Sequence, residues 1–96
     1  MKKIFKYELC IKEKQEIELP ISAQIIRVDD VDGKFFLWAI VDVSEEIEIE
    51  TETRFLEFYK TGQPIETPIE HLQYLGFCKL FIMQELGLYV FENIAS

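Results

Sequence analysis

The sequence has few of the residues on which catalytic, metal-binding and nucleic-acid-binding proteins depend. It contains one histidine, two cysteines and four isolated glycines, so neither a His-based metal site nor a Gly-rich phosphate loop is expected. No uncharged stretch approaches the roughly twenty apolar residues of a membrane span. Ten basic residues against eighteen acidic ones give a net charge of -8. A basic face for DNA or RNA is therefore not expected.

What the sequence does contain is enough apolar material for a packed core. Of its 96 residues, 49% are hydrophobic and 14% aromatic, while 29% are charged. This composition excludes disorder over most of the length and predicts one domain covering residues 1–96.

The apolar residues recur mainly with a period of two, which indicates β-strands. The run at 35–41 is continuous and predicts a central strand covered on both faces. Asp32 and Gly33 form the clearest hairpin turn, and residues 85–87 predict another turn. The predicted strands cover residues 4–11, 16–19, 23–29, 35–41, 54–60, 77–83 and 88–91.

One segment has the pattern of a capped helix start. Thr67 can cap, Pro68 suits the first helical position, and Glu70 completes a capping box. A helix of one or two turns is therefore predicted through Tyr74, ending at Gly76. The predicted fold class is mainly β: a small antiparallel sandwich or partly closed barrel of six or seven strands, with this one short helix.

Five glutamates are concentrated in residues 45–52, where they partly alternate with isoleucine and threonine. Neighbouring carboxylates repel, so this row must face water or a basic partner. We favour a solvated edge strand or loop, in which the charge blocks aggregation. The alternative is a docking face for a basic protein.

Catalytic chemistry has little support. The single histidine, His71, could act with Cys10 or Cys78 only if the fold brought them together. The cysteines lie in apolar, strand-like settings, which favours buried free thiols over a disulfide. The aspartates before Gly33 are also only a fragment of a calcium loop, so a plain turn is favoured. We expect no enzyme activity, no metal and no cofactor.

Ligand binding has better support. Trp38 is the sole tryptophan, and it either fills the core or stacks on a flat ring. The cations nearby in the predicted strands either form a local basic pocket for phosphate or balance the glutamate row. The candidate ligand-binding residues are Arg27, Trp38, Arg54, Lys60, Thr61, His71 and Tyr74.

The abundance of aromatic residues also predicts self-association. Eight phenylalanines and four tyrosines, together with the apolar run at 35–41, exceed what one small core hides. We therefore expect a homo-oligomer, with pockets between its subunits.

Short motifs along the whole chain are similar to those of one family. The chain resembles a widespread family of small proteins encoded by bacteriophages and prophages. The matching motifs are K-Y-x-L at 6–9, I-x-L-P at 17–20, A-x-I-L-x-V at 23–28 with Ile26 in place of leucine, W-A-x-V-D at 38–42, T-G-x-P-I at 61–65, Y-x-G at 74–76 and G-x-x-V-F at 87–91.

The resemblance implies a phage origin and the cytoplasm of an infected bacterial host as the workplace. It also implies action by binding a component of host defence. The acidic charge and the lack of an apolar span predict no direct nucleic-acid or membrane binding. The first expectation is an anti-defence sponge that sequesters a host immune nucleotide signal. The alternatives are an acidic inhibitor of a basic host defence protein, similar to an anti-CRISPR nucleic-acid mimic, and a phage accessory domain without a ligand.

Overall fold

The computed structural model describes residues 1–43 and 50–95 of the chain. Within them, seven strands form one sheet in the order β1-β4-β3-β6-β7-β5-β2. The elements are β1 (Lys2–Leu9), β2 (Lys14–Pro20), β3 (Gln24–Val31), β4 (Lys34–Asp42), β5 (Thr51–Lys60), a 3-10 turn (Ile69–His71), β6 (Leu72–Ile82) and β7 (Gln84–Asn93).

The sheet is antiparallel except where β3 and β6 meet, at the parallel pair Val28 and Gly76. The sheet curls on itself and brings its two halves face to face. Phe35 of β4 and Phe58 of β5 therefore stack, with ring centroids 5.7 Å apart. The curled sheet of seven strands confirms the predicted fold class: mainly β, in a partly closed barrel.

The core lies on the concave side of the sheet, which we call the inner face. In β4 the odd-numbered residues point inward and are buried, while the even-numbered residues Phe36, Trp38 and Ile40 are half-buried on the opposite, outer face. The prediction that residues 35–41 are covered on both faces is therefore only half right. The buried apolar residues come from β1 to β7 and the β2–β3 turn: Leu9, Leu19, Ala23, Val28, Phe35, Leu37, Ala39, Val41, Leu56, Phe58, Cys78 and Val90.

The predicted helix is reduced to the 3-10 turn. The Thr67 hydroxyl does not cap it but donates a hydrogen bond to Glu57 on β5, at 2.7 Å. From Leu72 onward the chain joins the ladder with β7, and Gly76 lies inside β6 instead of ending a helix. Pairing with β7 satisfies the backbone along this whole segment, which a two-turn helix cannot do.

The turn predictions had mixed outcomes. Asp32 and Gly33 have φ angles of 52° and 78° and connect β3 to β4 as predicted. The second turn is wrong, because residues 85–87 lie within β7 and the chain reverses at Met83, with φ of 60°.

Both cysteines are free, and Cys78 is buried as predicted, whereas Cys10 is exposed. Cys10 is exposed because it follows the last residue of β1, in the connection to β2. The predicted glutamate row at residues 45–52 lies mostly outside the described part of the chain. In the described ranges, the structure has no helix with the length and hydropathy of a membrane span.

Candidate functional site

The outer face of β1, β4 and β3 carries an aromatic side chain flanked by two cations. Trp38 pairs in register with Lys6 on one neighbouring strand and with Arg27 on the other. The Arg27 guanidinium lies 4.8 Å from the Trp38 ring centroid. The Lys6 ammonium lies 5.7 Å from the same ring and 4.0 Å from the ring of Phe36. We call these four residues the Trp38 cluster.

Strand alternation explains why these residues meet. Opposite residues of antiparallel neighbours share a face, so the even positions of β4 meet the even positions of β1. In β3, a register shift between Ile25 and Arg27 places Arg27, an odd-numbered residue, beside Trp38 on the outer face. Without that bulge Arg27 would point into the core.

The cluster is an open platform rather than a recess. Trp38 is half-buried and the Arg27 side chain is 60% exposed. Arg27 donates a hydrogen bond to Asp29 at 2.5 Å, and this bond holds the pKa of the Asp29 carboxyl below its usual range.

The charge of this face differs from that of the whole chain. By register and alternation, four cationic and three acidic side chains share the outer face of the three strands. This local balance contrasts with the net charge of -8, so the platform is the least acidic broad surface that the pairing defines. Its charged residues are Lys2, Lys6, Arg27, Lys34, Glu8, Asp29 and Asp42.

Arg54 lies elsewhere, on the inner face of β5 beside buried Leu56. Its guanidinium forms a bidentate pair with Glu92 and donates to the Ala23 carbonyl at 2.9 Å. Its side chain is 17% exposed and that of Glu92 is 9% exposed. The bond to Glu92 raises the pKa of Arg54, partly offset by burial. Arg54 therefore joins strands instead of offering an unpaired cation to a ligand.

Lys60 is the last residue of β5, and Thr61 begins the tight turn that follows it. The Lys60 backbone N–H donates to the Gln63 side chain at 3.0 Å, and both Lys60 and Thr61 are exposed. Beside them, a shallow hollow is lined by Lys60, Phe58 and the leucines of the β6–β7 hairpin. Neither residue belongs to the Trp38 cluster.

His71 and Tyr74 lie on the other half of the sheet. His71 belongs to the 3-10 turn, and its carbonyl accepts a hydrogen bond from the Ile94 N–H at 2.8 Å. Tyr74 is 56% exposed and packs edge-on against Phe91. Of the seven predicted ligand-binding residues, only Arg27 and Trp38 are in mutual contact among the aromatic and cation contacts of the described chain.

The structure adds two residues to this site that the sequence did not single out. Lys6 and Phe36 complete the cluster, but their proximity depends on the register of β1 and β4, which no local pattern reveals. The available signal was that both residues are even-numbered, as Trp38 is, so that all three could lie on the same face.

The sequence also did not point to a second feature, the buried carboxylate of Glu57. Glu57 is 5% exposed and accepts hydrogen bonds from Tyr59, Thr67 and Asn93. Burial raises the pKa of Glu57, but the three hydrogen bonds outweigh it and the pKa is lowered. This network fixes the segment after β5 to the outer face of the sheet.

Nucleophile and metal chemistry gain no support from the described residues. Burial raises the pKa of the Cys78 thiol to about 12, so it stays protonated at neutral pH. Within residues 1–43 and 50–95, no group of three His, Cys, Asp or Glu side chains is arranged to hold a metal ion.

The fold and this platform define a small, curled all-β protein with an aromatic and cationic surface on its outer face. The chain belongs to the DUF7352 family, described as a domain of unknown function, whose model matches residues 1–96. No curated protein and no solved structure matches the chain.

Proposed function

We propose that this chain is a non-catalytic phage protein that sequesters a host immune nucleotide through the Trp38 cluster. The observation that carries the proposal is the placement of Trp38 between Arg27 and Lys6 on an exposed face.

The cluster has the chemistry that a nucleotide requires. Bases stack on aromatic rings and on arginine guanidinium planes, and the exposed Arg27 plane already lies over Trp38. Phosphate then lies within reach of Lys6 on one side and of the remaining Arg27 donors on the other. This arrangement uses two of the predicted ligand-binding residues, Arg27 and Trp38. It does not use Arg54, which is paired with Glu92.

The charge distribution supports an anionic ligand at this face more than elsewhere. The chain as a whole repels anions, since its net charge is -8. The near-neutral balance around Trp38 lowers that repulsion locally, and the Debye length of about 8 Å at physiological salt screens the distant carboxylates.

The biological setting of the proposal comes from the sequence motifs. Trp38 opens the W-A-x-V-D motif at 38–42, which is part of the resemblance to phage and prophage proteins. In that setting, a chain that binds a host nucleotide without converting it acts as a sponge in the host cytoplasm.

The second candidate function is an acidic inhibitor of a basic host protein. Glu16 and Glu18 are exposed on the edge strand β2, and Glu52 is exposed on its neighbour β5. Glu52 is the last glutamate of residues 45–52, and β2 pairs with β5 at this position. Glu16 and Glu18 would form the docking face, since Glu52 pairs with buried Leu19 and points to the opposite side of the sheet. Binding would weaken steeply with salt.

A fluorescence titration tests the first proposal directly. Trp38 is the sole tryptophan, so its emission reports the cluster alone. We expect cyclic dinucleotides or ADP-ribose-derived signals to quench it, and the bound nucleotide to raise the melting temperature. Ligand at about 100 times its dissociation constant adds about 2.7 kcal/mol of stability.

Matched variants locate the binding surface. Arg27→Gln should weaken nucleotide binding by roughly tenfold or more, the effect of losing a hydrogen bond to a charged group. Lys79→Gln, which removes an exposed cation paired with Glu85, should not change it. If no nucleotide in the panel changes either readout, the sponge proposal is wrong. Salt-sensitive capture of a basic nuclease would then favour the acidic inhibitor.

A further inference from the structure

The two edge strands of the sheet border the same open side of the molecule. β1 and β2 stand at opposite ends of the strand order, but the sheet curls until β4 faces β5. Leu9 of β1 and Leu19 of β2 consequently belong to one core. The two strands run in opposite directions, because the sheet between them contains five antiparallel pairings and one parallel pairing.

Within one chain these two edges do not pair. Facing layers of a curled sheet lie about 10 Å apart, whereas paired strands lie about 4.8 Å apart. The stacked rings of Phe35 and Phe58 keep the layers separate. Where residues 10–13 join the two strands, the Gln15 side-chain amide accepts a hydrogen bond from the Cys10 N–H at 3.0 Å and donates one to the Cys10 carbonyl at 2.7 Å. This amide takes the place of the first ladder bonds there.

The β1 edge has features of a strand that receives a partner. It is eight residues long and contains no proline, so its outward N–H and C=O groups are available for a ladder. Ile4 is 61% exposed and Phe5 is 40% exposed, although Phe5 points toward the inner face. A neighbouring strand would cover both side chains.

The charges of β1 and β2 are complementary in one antiparallel register. With Phe5 opposite Ile17, Lys6 lies opposite Glu16 and Glu8 lies opposite Lys14. A slip of two residues places Lys6 opposite Lys14 in one direction and Glu8 opposite Glu16 in the other. Each slipped register keeps only one favourable pair, Lys2 with Glu18 or Lys6 with Glu18, against the two of the proposed register. Among the ion pairs of the described residues, none involves any of these four side chains.

We propose that a second copy of this chain covers the open side, with β1 of each copy paired to β2 of the other. A two-fold rotation about an axis parallel to the strands brings both pairs together at once. It keeps each pair antiparallel, as the register requires. The dimer is closed by its symmetry, so neither edge is left free to extend into a filament.

Charge exchange at one position of this register provides the test. In the dimer, Lys6 faces the partner's Glu16 twice. Lys6→Glu and Glu16→Lys each place like charges opposite one another at both contacts. Each variant alone should therefore raise the dimer dissociation constant by roughly tenfold. Light scattering over a concentration series measures this change.

Mixing the two variants gives the distinguishing result. In a mixed pair, Glu at position 6 meets Lys at position 16 in one contact, and Lys meets Glu in the other. An affinity tag on one variant should therefore retain the other, and the wild-type dissociation constant should return. Pairing within one chain, or β1 against β1, does not produce this rescue. Lys6 also belongs to the Trp38 cluster, so the mass is measured without added nucleotide, and the result then does not depend on nucleotide binding.

The controls change charge equally but away from both edges. Lys79→Glu and Glu85→Lys, an exposed pair in the β6–β7 hairpin, should leave the dimer unchanged. If Lys6→Glu does not fold by circular dichroism, Glu8→Lys and Lys14→Glu repeat the test at the second charge pair. A monomeric wild type at all concentrations overturns the proposal, as does a Glu16→Lys dimer of unchanged affinity or a mixture that stays monomeric.

Discussion

Gly76 of β6 lies directly opposite Val28 of β3, where the two halves of the sheet meet. A Cβ atom on Gly76 would lie 2.4 Å from the Val28 carbonyl oxygen and 3.1 Å from its amide nitrogen. Both contacts are with backbone, which cannot move without separating the strands. Glycine at this position therefore allows β1-β4-β3 and β6-β7-β5-β2 to form one sheet.

Replacing this glycine should open the junction. Gly76→Ala is expected to reduce the free energy of unfolding by about 2 kcal/mol or more, because the new methyl group overlaps the Val28 backbone. Urea denaturation measures the loss. In the control Gly87→Ala, the Cβ meets the rim of the half-buried Phe77 ring at 2.5 Å. That ring can turn, so the loss should be smaller. Equal losses would contradict this account of the junction.

The ion pair between Arg54 and Glu92 should be the most costly one to break. Arg54→Met leaves the nearly buried Glu92 carboxylate without its partner, so a loss of about 3 kcal/mol is expected. The double variant Arg54→Met with Glu92→Met should recover most of it. Thermal and chemical unfolding of the four proteins in the cycle measure the coupling.

An exposed ion pair provides the comparison for this cycle. Arg27→Gln removes the bond to Asp29, where the Arg27 side chain is 60% exposed, and should cost less than about 1 kcal/mol. A single Arg54→Met variant as stable as Arg27→Gln would show that the buried pair is not needed for the fold.

Glu57 should contribute to the acid sensitivity of the fold. Its pKa is lowered in the folded protein by three hydrogen bonds, relative to an unfolded value of about 4.3. The folded state thus binds the proton less readily than the unfolded state. The stabilisation is complete above the unfolded pKa and is lost as the pH falls through the folded pKa. Glu57→Gln should make stability fall less steeply below about pH 5.

Glu66, an exposed glutamate in the segment that follows β5, serves as the control for this titration. Glu66→Gln removes a carboxylate that makes no hydrogen bond to Glu57, and should change the slope of stability against pH less than Glu57→Gln does. Stability measured by urea denaturation at several pH values distinguishes the two. Parallel curves for Glu57→Gln and wild type would exclude a titrating role for Glu57.

The two cysteines should react at very different rates. Cys10 is exposed and Cys78 is buried, with its pKa raised to about 12 by burial. At neutral pH we expect a thiol reagent to label one cysteine per folded chain, and the second only after denaturant is added. In Cys10→Ser the fast reaction should disappear. Rapid labelling of both thiols in the folded protein would mean that the core around Cys78 opens readily.

The strand pattern was predictable because it is local. Alternation of apolar and polar residues indicates which side chains share a face, and Asp32 with Gly33 supplies the backbone angles of a hairpin turn. The same local reasoning was wrong at residues 67–76. Thr67, Pro68 and Glu70 have the pattern of a capped helix, but Thr67 bonds Glu57, ten positions earlier in the chain. Rules for helix capping consider only neighbouring residues, so they do not include Glu57 as a hydrogen-bond acceptor for Thr67.

The candidate site was predictable only in part for the same reason. Trp38 and Arg27 were selected for their chemistry, and they do contact each other. Arg54 has equally suitable chemistry, but its carboxylate partner lies 38 positions away. Lys6 enters the site because β1 pairs with β4 on the edge away from β3, which places Lys6 directly opposite Trp38.

The amino-acid sequence by itself determined the strands, the main turn, the acidic charge and the apolar alternation, because these depend on neighbours in the chain. Only the tertiary structure decided which strands lie side by side, and hence which charges are paired and which stay exposed. A one-residue bulge at β3 and the close approach of Gly76 to Val28 set those neighbours. The bulge is a register shift between the two strands of one hairpin, and the contact of Gly76 with Val28 joins segments far apart in sequence. Neither follows from the alternation of residues within a single strand.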